Sequence, residues 1–336
     1  MLNAVARAAL ALSTLAITGM AASAQTPIRL VLDYAIQGQQ SPIVLAAEGG
    51  YFKRAGVDVR VDRGYGSGDA IAKVASGAYE VAFADIGALI NFNSEQGATK
   101  LIDVFQVYDS APMVILSLKK SNINKPADLA GKAIASPPGA SSRVMFPTFA
   151  AVNNIDTSNI KWLDVTPQLR ETMLKQGQAD ATTALITDVA GLRHLDISED
   201  EISIMRFGDY GMNLYGHAIL TTPEYAAAHP EVIKNIVREV AEALKASIAN
   251  PAAAIAAIKK NDPLVDENVE RRRLELVLAN AVVTEHVKKD GLSAVDMARM
   301  QKTIDIITTT LKRPSMAARD LYRPDYLPPH SELMLP

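Results

Sequence analysis

Short strand-forming runs alternate with short helical segments from Ile28 onward, and few folds accommodate that order. Residues 28–33 (IRLVLD) read as a strand and 42–54 as a helix stopped by Gly56. Residues 57–62 (VDVRVD) alternate apolar and charged, as a half-buried strand does. A glycine-rich turn, 63–68, leads to a helix over 69–76 closed by Gly77. A strand at 80–84 and a helix at 86–96 follow. Such repeats predict parallel βαβ units.

A second series begins with the β-prone run 113–118 (MVILSL). It continues as strand 133–135, helix 141–152, strand 160–163, helix 167–176 and strand 181–185. Strands are expected again at 202–207 and 214–220. From Pro223 the pattern is helical, over 231–248, 252–259, 266–282 and 293–311. Pro230 and Pro251 stand at helix starts, where a missing N–H costs nothing. The proline-rich tail, 313–336, is expected to wrap the surface.

The composition narrows the function classes. Of 336 residues 49% are hydrophobic and 21% charged, which suits a globular protein of about two domains. The net charge of -3 offers no basic stripe for nucleic acid. With no cysteine, disulfides, thiolate metal sites, Cys nucleophiles and lipid attachment at a Cys are excluded. Residues 1–24 combine Arg7, an uncharged stretch and Ala22-Ser23-Ala24, the pattern of a removed signal peptide. The mature chain is therefore expected to be a free periplasmic protein.

Several stretches carry a resemblance. They are Leu32-Asp33-Tyr34 with Pro42, Ala46-Ala47-Glu48-Gly49-Gly50-Tyr51-Phe52 with Gly56-Val57-Asp58-Val59, and Gly66-Ser67-Gly68. Gly77 to Asp85, Asp128-Leu129-Ala130-Gly131-Lys132, Gly177 to Ala181 and Asp325-Tyr326-Leu327-Pro328 complete the set. Together they resemble the solute-binding proteins of bacterial ABC importers, in the family serving nitrate, sulfonates and thiamine pyrimidine precursors. The resemblance implies an α/β, two-lobed periplasmic binding protein fold of type II. Two small sheets would be joined by two crossings, near 108–113 and 210–215, with a helical C-terminal third. Lobe 1 would comprise 25–110 and 216–336, and lobe 2 residues 111–215. A small solute held between the lobes would favour the closed state.

Ligands of open α/β sheets sit at the carboxyl ends of strands, which selects the candidates. After the first strand come Tyr34, Gln39, Gln40 and Ser41, an aromatic face with amides and a hydroxyl; a solvated loop would look the same. Pyrimidine-binding relatives often carry a Trp and a His here, and this chain has Tyr34 and a glutamine. Gly64-Tyr65-Gly66-Ser67-Gly68 lacks dinucleotide-loop spacing, so Ser67 and Gly68 read either as a helix-start anion site or as a plain turn. Asp85 would touch ligand or cap the next helix, the cap being favoured. Ser141, Ser142 and Arg143 open a helix expected to run to 152, where a first-turn cation invites an anion. The alternative pairs Arg143 with a surface carboxylate. Thr187 and Asp188 follow the 181–185 strand, where many relatives carry a Trp-x-Pro-like element that is missing here. Asn213 and Tyr215, at the second crossing, could hold a flat ligand or simply pack.

Nothing points to catalysis. The five histidines show no H-x-x-x-H spacing, and Glu270 with Arg271 to Arg273 reads as a solvated helix face. A thiamine-pyrimidine synthase and a sulfinate hydrolase resemble this family, but both depend on cysteines. The expectation is a monomeric, cofactor-free and metal-free component of an ABC importer, delivering a small organic solute to a membrane permease. An organic acid such as a sulfonate or aromatic carboxylate is favoured, on the strength of Arg143. A pyrimidine-precursor binder, a ligand sensor of the same fold and an enzyme are the alternatives.

Overall fold

The computed structural model describes residues 27–335, so the expected signal peptide lies outside the described residues. Ten strands are found among those residues: β1 (Ile28–Leu32), β2 (Val59–Asp62), β3 (Val81–Asp85), β4 (Ile102–Gln106), β5 (Met113–Leu118), β6 (Ala133–Ser136), β7 (Lys161–Asp164), β8 (Ala181–Leu185), β9 (Ile202–Arg206) and β10 (His217–Thr221). They form two five-stranded sheets, ordered β2-β1-β3-β10-β4 and β7-β6-β8-β5-β9.

The two orders are the same pattern used twice. In each sheet three consecutive strands run parallel, β1 beside β2 and β3, and β6 beside β7 and β8. The strand that enters from the other lobe, β10 or β5, runs antiparallel to both its neighbours. The sequence alternation predicts only the parallel part. A strand arriving across the hinge meets the sheet from the opposite end, so its direction is reversed. Gln106 ties the crossings together, its Nε2 donating to the carbonyls of Tyr108 (3.0 Å), Gly216 (3.1 Å) and His217 (3.1 Å).

Three expected elements differ. The 42–54 helix is two helices, Ser41–Glu48 and Tyr51–Arg54, broken where Gly50 takes φ +75°. The 141–152 helix divides into Ser141–Val144 and Phe146–Val152. Pro147 has no N–H to return to the Arg143 carbonyl, so the ladder is interrupted there. The tail is less peripheral than expected: Tyr322 bridges Asp103 beside β4, and Tyr326 and Leu333 are buried.

Packing explains why the C-terminal helices are needed. Helix Pro230–Ala249 places Ile233, Ile236, Val237, Val240 and Leu244 on one buried face, the spacing of an amphipathic helix. It covers the first sheet together with Pro251–Asn261 and Ser41–Glu48. Two later helices reach both lobes. Met297–Leu311 packs on Ile86–Gln96 of the first lobe and Phe146–Val152 of the second. Glu267–Val277 packs on the Gly38–Gln40 turn of the first and the 3-10 helix Ile186–Leu195 of the second. One apolar cluster consequently runs through both lobes, from Val31 and Leu89 to Phe149, Phe207, Met300 and Ile304.

Candidate functional site

The carboxyl ends of the strands face each other across the lobes. From the first lobe come Asp33 and Tyr34 after β1, and the turn after β2 that ends at Ser67. Ser67 opens the helix Ser67–Ala75. From the second come Ala140, Ser141 and Ser142 after β6, and Leu185 and Asp188 at the end of β8. With Gln39, Gly66 and Arg170 they line an inner chamber of about 30 Å³, room for about two waters. Outside it lies a groove of about 280 Å³, lined by Ala35, Gln37, Glu171, His194, Arg273 and their neighbours. Tyr34, Arg170 and Asp188 border both spaces.

Glycine allows the lobes to meet over the chamber. Gly66 has φ +132°, and a Cβ on it would lie 2.2 Å from the Gly139 carbonyl oxygen. The Gly68 N–H donates to that same oxygen at 3.3 Å.

Behind the first-lobe wall is a buried ionisable group. Asp33 Oδ2 lies 3.0 Å from His217 Nε2, and Asp33 Oδ1 accepts from Gln40 Nε2 at 2.9 Å. Burial opposes charge on His217, but the Asp33 carboxylate, its hydrogen bond and nearby Asp85 outweigh it and raise the imidazole pKa above 6.5. Asp85 is itself pushed up, by burial foremost. Its Oδ1 accepts from the Ala88 N–H at 2.9 Å, and its own N–H donates to Ser67 Oγ at 3.1 Å. The Ser67 hydroxyl proton is thus free to donate into the chamber.

The second-lobe wall is built on Arg170, 4% exposed, whose charge is already matched. Its Nη2 contacts Glu171 Oε1 at 2.5 Å and Asp188 Oδ2 at 2.7 Å, and Nη1 donates to the Thr183 carbonyl at 3.2 Å. Burial works against this guanidinium, yet the two carboxylates win and raise its pKa, so it is always charged. Burial likewise raises the Tyr34 phenol, which stays neutral. Gln39 Oε1 is a buried acceptor without a partner.

Six of the expected residues line the chamber: Tyr34, Gln39, Ser67, Ser141, Ser142 and Asp188. Gln40 stands behind it on Asp33, Gly68 sits at the lobe contact, and Asp85 caps helix Ile86–Gln96. Thr187 is fully buried beside Asp188, with Oγ1 unpartnered. Arg143 does not line the chamber; its guanidinium lies 3.3 Å over the Trp162 ring. Pro147 limits the helix to the single turn Ser141–Val144, too short for the helix dipole on which the expectation rested. Asn213 lies elsewhere, lining a polar groove at the crossings, and Tyr215 is buried beneath that groove's Arg299. The Tyr215 hydroxyl accepts from the Asp296 N–H at 2.9 Å.

Asp33, Gly66, Arg170 and His217 were missed. Asp33 was legible as the polar end of β1. Arg170 looks like any helix-surface cation, and His217 has no local partner in the sequence. The solvated face expected of Glu270 to Arg273 holds for the exposed Arg272 but not for Glu270, 8% exposed, or the Arg273 side chain, 11%.

Comparison with known proteins fits this geometry. The family profile described as NMT1/THI5 like matches residues 37–254. The chain belongs to the NMT1/THI5-like family. A formylaminopyrimidine-binding protein of Halalkalibacterium halodurans is 25% identical over 259 residues, 75% of this chain and 76% of the relative. The alkanesulfonate-binding protein of Xanthomonas axonopodis pv. citri, solved bound to MOPS, superposes with TM-score 0.67 at 21% identity, over 88% of this chain and 98% of that one. The periplasmic nitrate-binding protein of Synechocystis PCC 6803 gives 0.64 at 12% identity, over 90% and 87%. Those two solved neighbours share the two-sheet periplasmic-binding-protein fold described above.

Proposed function

We propose that this chain is the periplasmic solute-binding component of an ABC importer, capturing a small polar organic solute between its lobes and presenting the closed form to a membrane permease. Residues 25–110 and 216–336 act as one lobe and 111–215 as the other. The observation that carries the reading is the chamber where the strand ends of both sheets converge, the place such folds hold ligands. The chamber alone is smaller than an organic solute, so entry requires the lobes to part and Tyr34, Arg170 and Asp188 to yield into the adjoining groove.

The lining favours a solute rich in hydrogen-bond donors. Asp33, Asp188 and the unpartnered Gln39 Oε1 all accept, while the cation present, Arg170, is satisfied by Glu171 and Asp188. Arg143, the basis for expecting an organic acid, lies on Trp162 instead. An amino- or amido-substituted heterocycle fits these acceptors, in line with what the formylaminopyrimidine-binding relative is named for.

A thermal-shift comparison of aminopyrimidines with alkanesulfonates and aromatic carboxylates tests the reading. An aminopyrimidine at a hundredfold excess over its dissociation constant should add about 2.7 kcal/mol and raise Tm by several degrees. A response confined to the sulfonates or carboxylates would reject the donor-rich solute.

A further inference from the structure

We propose that Arg273, on a C-terminal helix and remote in sequence from either wall of the chamber, is the latch that holds the two lobes shut. The inference rests on the solute-binding reading above and adds the residue that sets the open–closed balance.

Helix Glu267–Val277 lies across the mouth of the cleft, against the Gly38–Gln40 turn on one side and the Ile186–Leu195 3-10 helix on the other. On the first-lobe side its hold is firm. Glu270 Oε2 accepts from the Gly38 N–H at 2.5 Å, and a Cβ on Gly38 would fall 1.8 Å from the Glu270 carbonyl oxygen, so no other residue fits the contact. On the second-lobe side Leu276 packs against the apolar cluster that includes Val189 and Leu192, Asp266 pairs with His194 at the exposed helix start, and Arg273 makes the buried ionic contact. Arg273 Nη1 lies 3.4 Å from Asp188 Oδ1 and 3.3 Å from Gln37 Oε1, so one guanidinium touches both lobes. Gly191 makes room for it: a Cβ there would sit 2.7 Å from Arg273 Nη2.

Asp188 is the shared element. Its Oδ2 faces Arg170, 2.7 Å away in its own lobe, and its Oδ1 faces Arg273 from the opposite lobe. It also lines the inner chamber, so a solute touching Asp188 touches the latch. Opening strands no charge. Asp188 keeps Arg170, and Arg273 keeps Glu270, 3.5 Å from its Nε. A contact that can be given up without exposing an unpaired buried ion suits a reversible latch, because the large penalty for breaking a buried pair is avoided.

The absence of cysteine makes the test direct, since a pair introduced by Lys53→Cys and Asn159→Cys at exposed positions of the two lobes takes spin labels uniquely. Distance distributions are recorded without added solute for the otherwise unmodified chain, Arg273→Met, Arg273→Lys and the exposed control Arg272→Met. Removing one partly buried ion pair should raise the long-distance fraction roughly fivefold or more in Arg273→Met. Arg273→Lys should fall between, because it keeps charge but loses the fork that spans Gln37 and Asp188. It also supplies the reading if Arg273→Met does not fold. Arg272→Met should match the parent. Distributions for the Arg273 variants that superpose on that of Arg272→Met overturn the latch, whatever any solute does. Opening in Arg273→Met, with no aminopyrimidine, sulfonate or carboxylate shifting the parent's Tm, supports the latch and removes the solute reading alone.

Discussion

At the scale of single residues, the Asp33–His217 pair is where the site stores most electrostatic consequence. His217 is fully buried, and its imidazole titrates above the unperturbed 6.5 because Asp33 and Asp85 together outweigh desolvation. A raised folded pKa contributes stability that is complete below about pH 6.5 and is lost as pH climbs through the folded value. Thermal denaturation between pH 5.5 and 9 should therefore show this chain losing stability above about pH 6.5 relative to His217→Gln, with the difference largest on the acidic side. A flat difference across that range would show that His217 does not bind its proton more tightly on folding. The substitution should itself cost about 3–5 kcal/mol in the acidic range, since it leaves the buried Asp33 carboxylate with Gln40 but without its cationic partner. Asp33 also lines the chamber, so a solute donating to it competes for the oxygens that His217 and Gln40 use.

At the scale of elements, the contact between the β2 and β6 turns shows what was legible and what was not. The turn at 63–68 stands out in the sequence as glycine-rich, and its place at a strand end marks it as a site loop. Its function as a bearing surface is invisible there, because Gly139 approaches only once both sheets exist. Gly66→Ala would set a methyl 2.2 Å from the Gly139 oxygen at a φ of +132° that L-residues rarely adopt. The expected result is a folded protein with an unchanged far-ultraviolet circular dichroism spectrum, and solute affinity reduced at least about tenfold by the lost closure. Unimpaired affinity would mean that the turns need not touch. The same logic separates the other residues. Strand-end positions such as Tyr34, Ser67, Ser142 and Asp188 are readable because alternation locates strand ends. Arg170, Glu270 and Arg273 are not, because nothing local distinguishes a helix charge facing solvent from one facing a neighbouring lobe. One signal was available: Glu270 shares a helical face with buried Leu274 and Val277, at i+4 and i+7.

At the scale of the molecule, the arrangement combines an apolar join between the lobes with a polar one, and the two must behave differently. Met145, Phe149, Met300 and Ile304 belong to a single buried cluster that also includes Val31 and Leu89, so no boundary in the apolar core separates the lobes. Lobes joined through so much apolar surface do not move freely, whereas the ionic contact at Asp188 can be exchanged for water. Opening should therefore pivot about the Phe149–Met300 region while the cleft mouth parts. The same continuity predicts how the protein unfolds. If the cluster couples the lobes, calorimetry should show one transition, with calorimetric and van't Hoff enthalpies equal. Phe149→Ala should lower stability by about 3–5 kcal/mol without splitting that transition, because the cavity weakens both lobes at once. Two resolved peaks, one of them untouched by Phe149→Ala, would mean that each lobe folds on its own. The hinge would then be a linker rather than a packed joint.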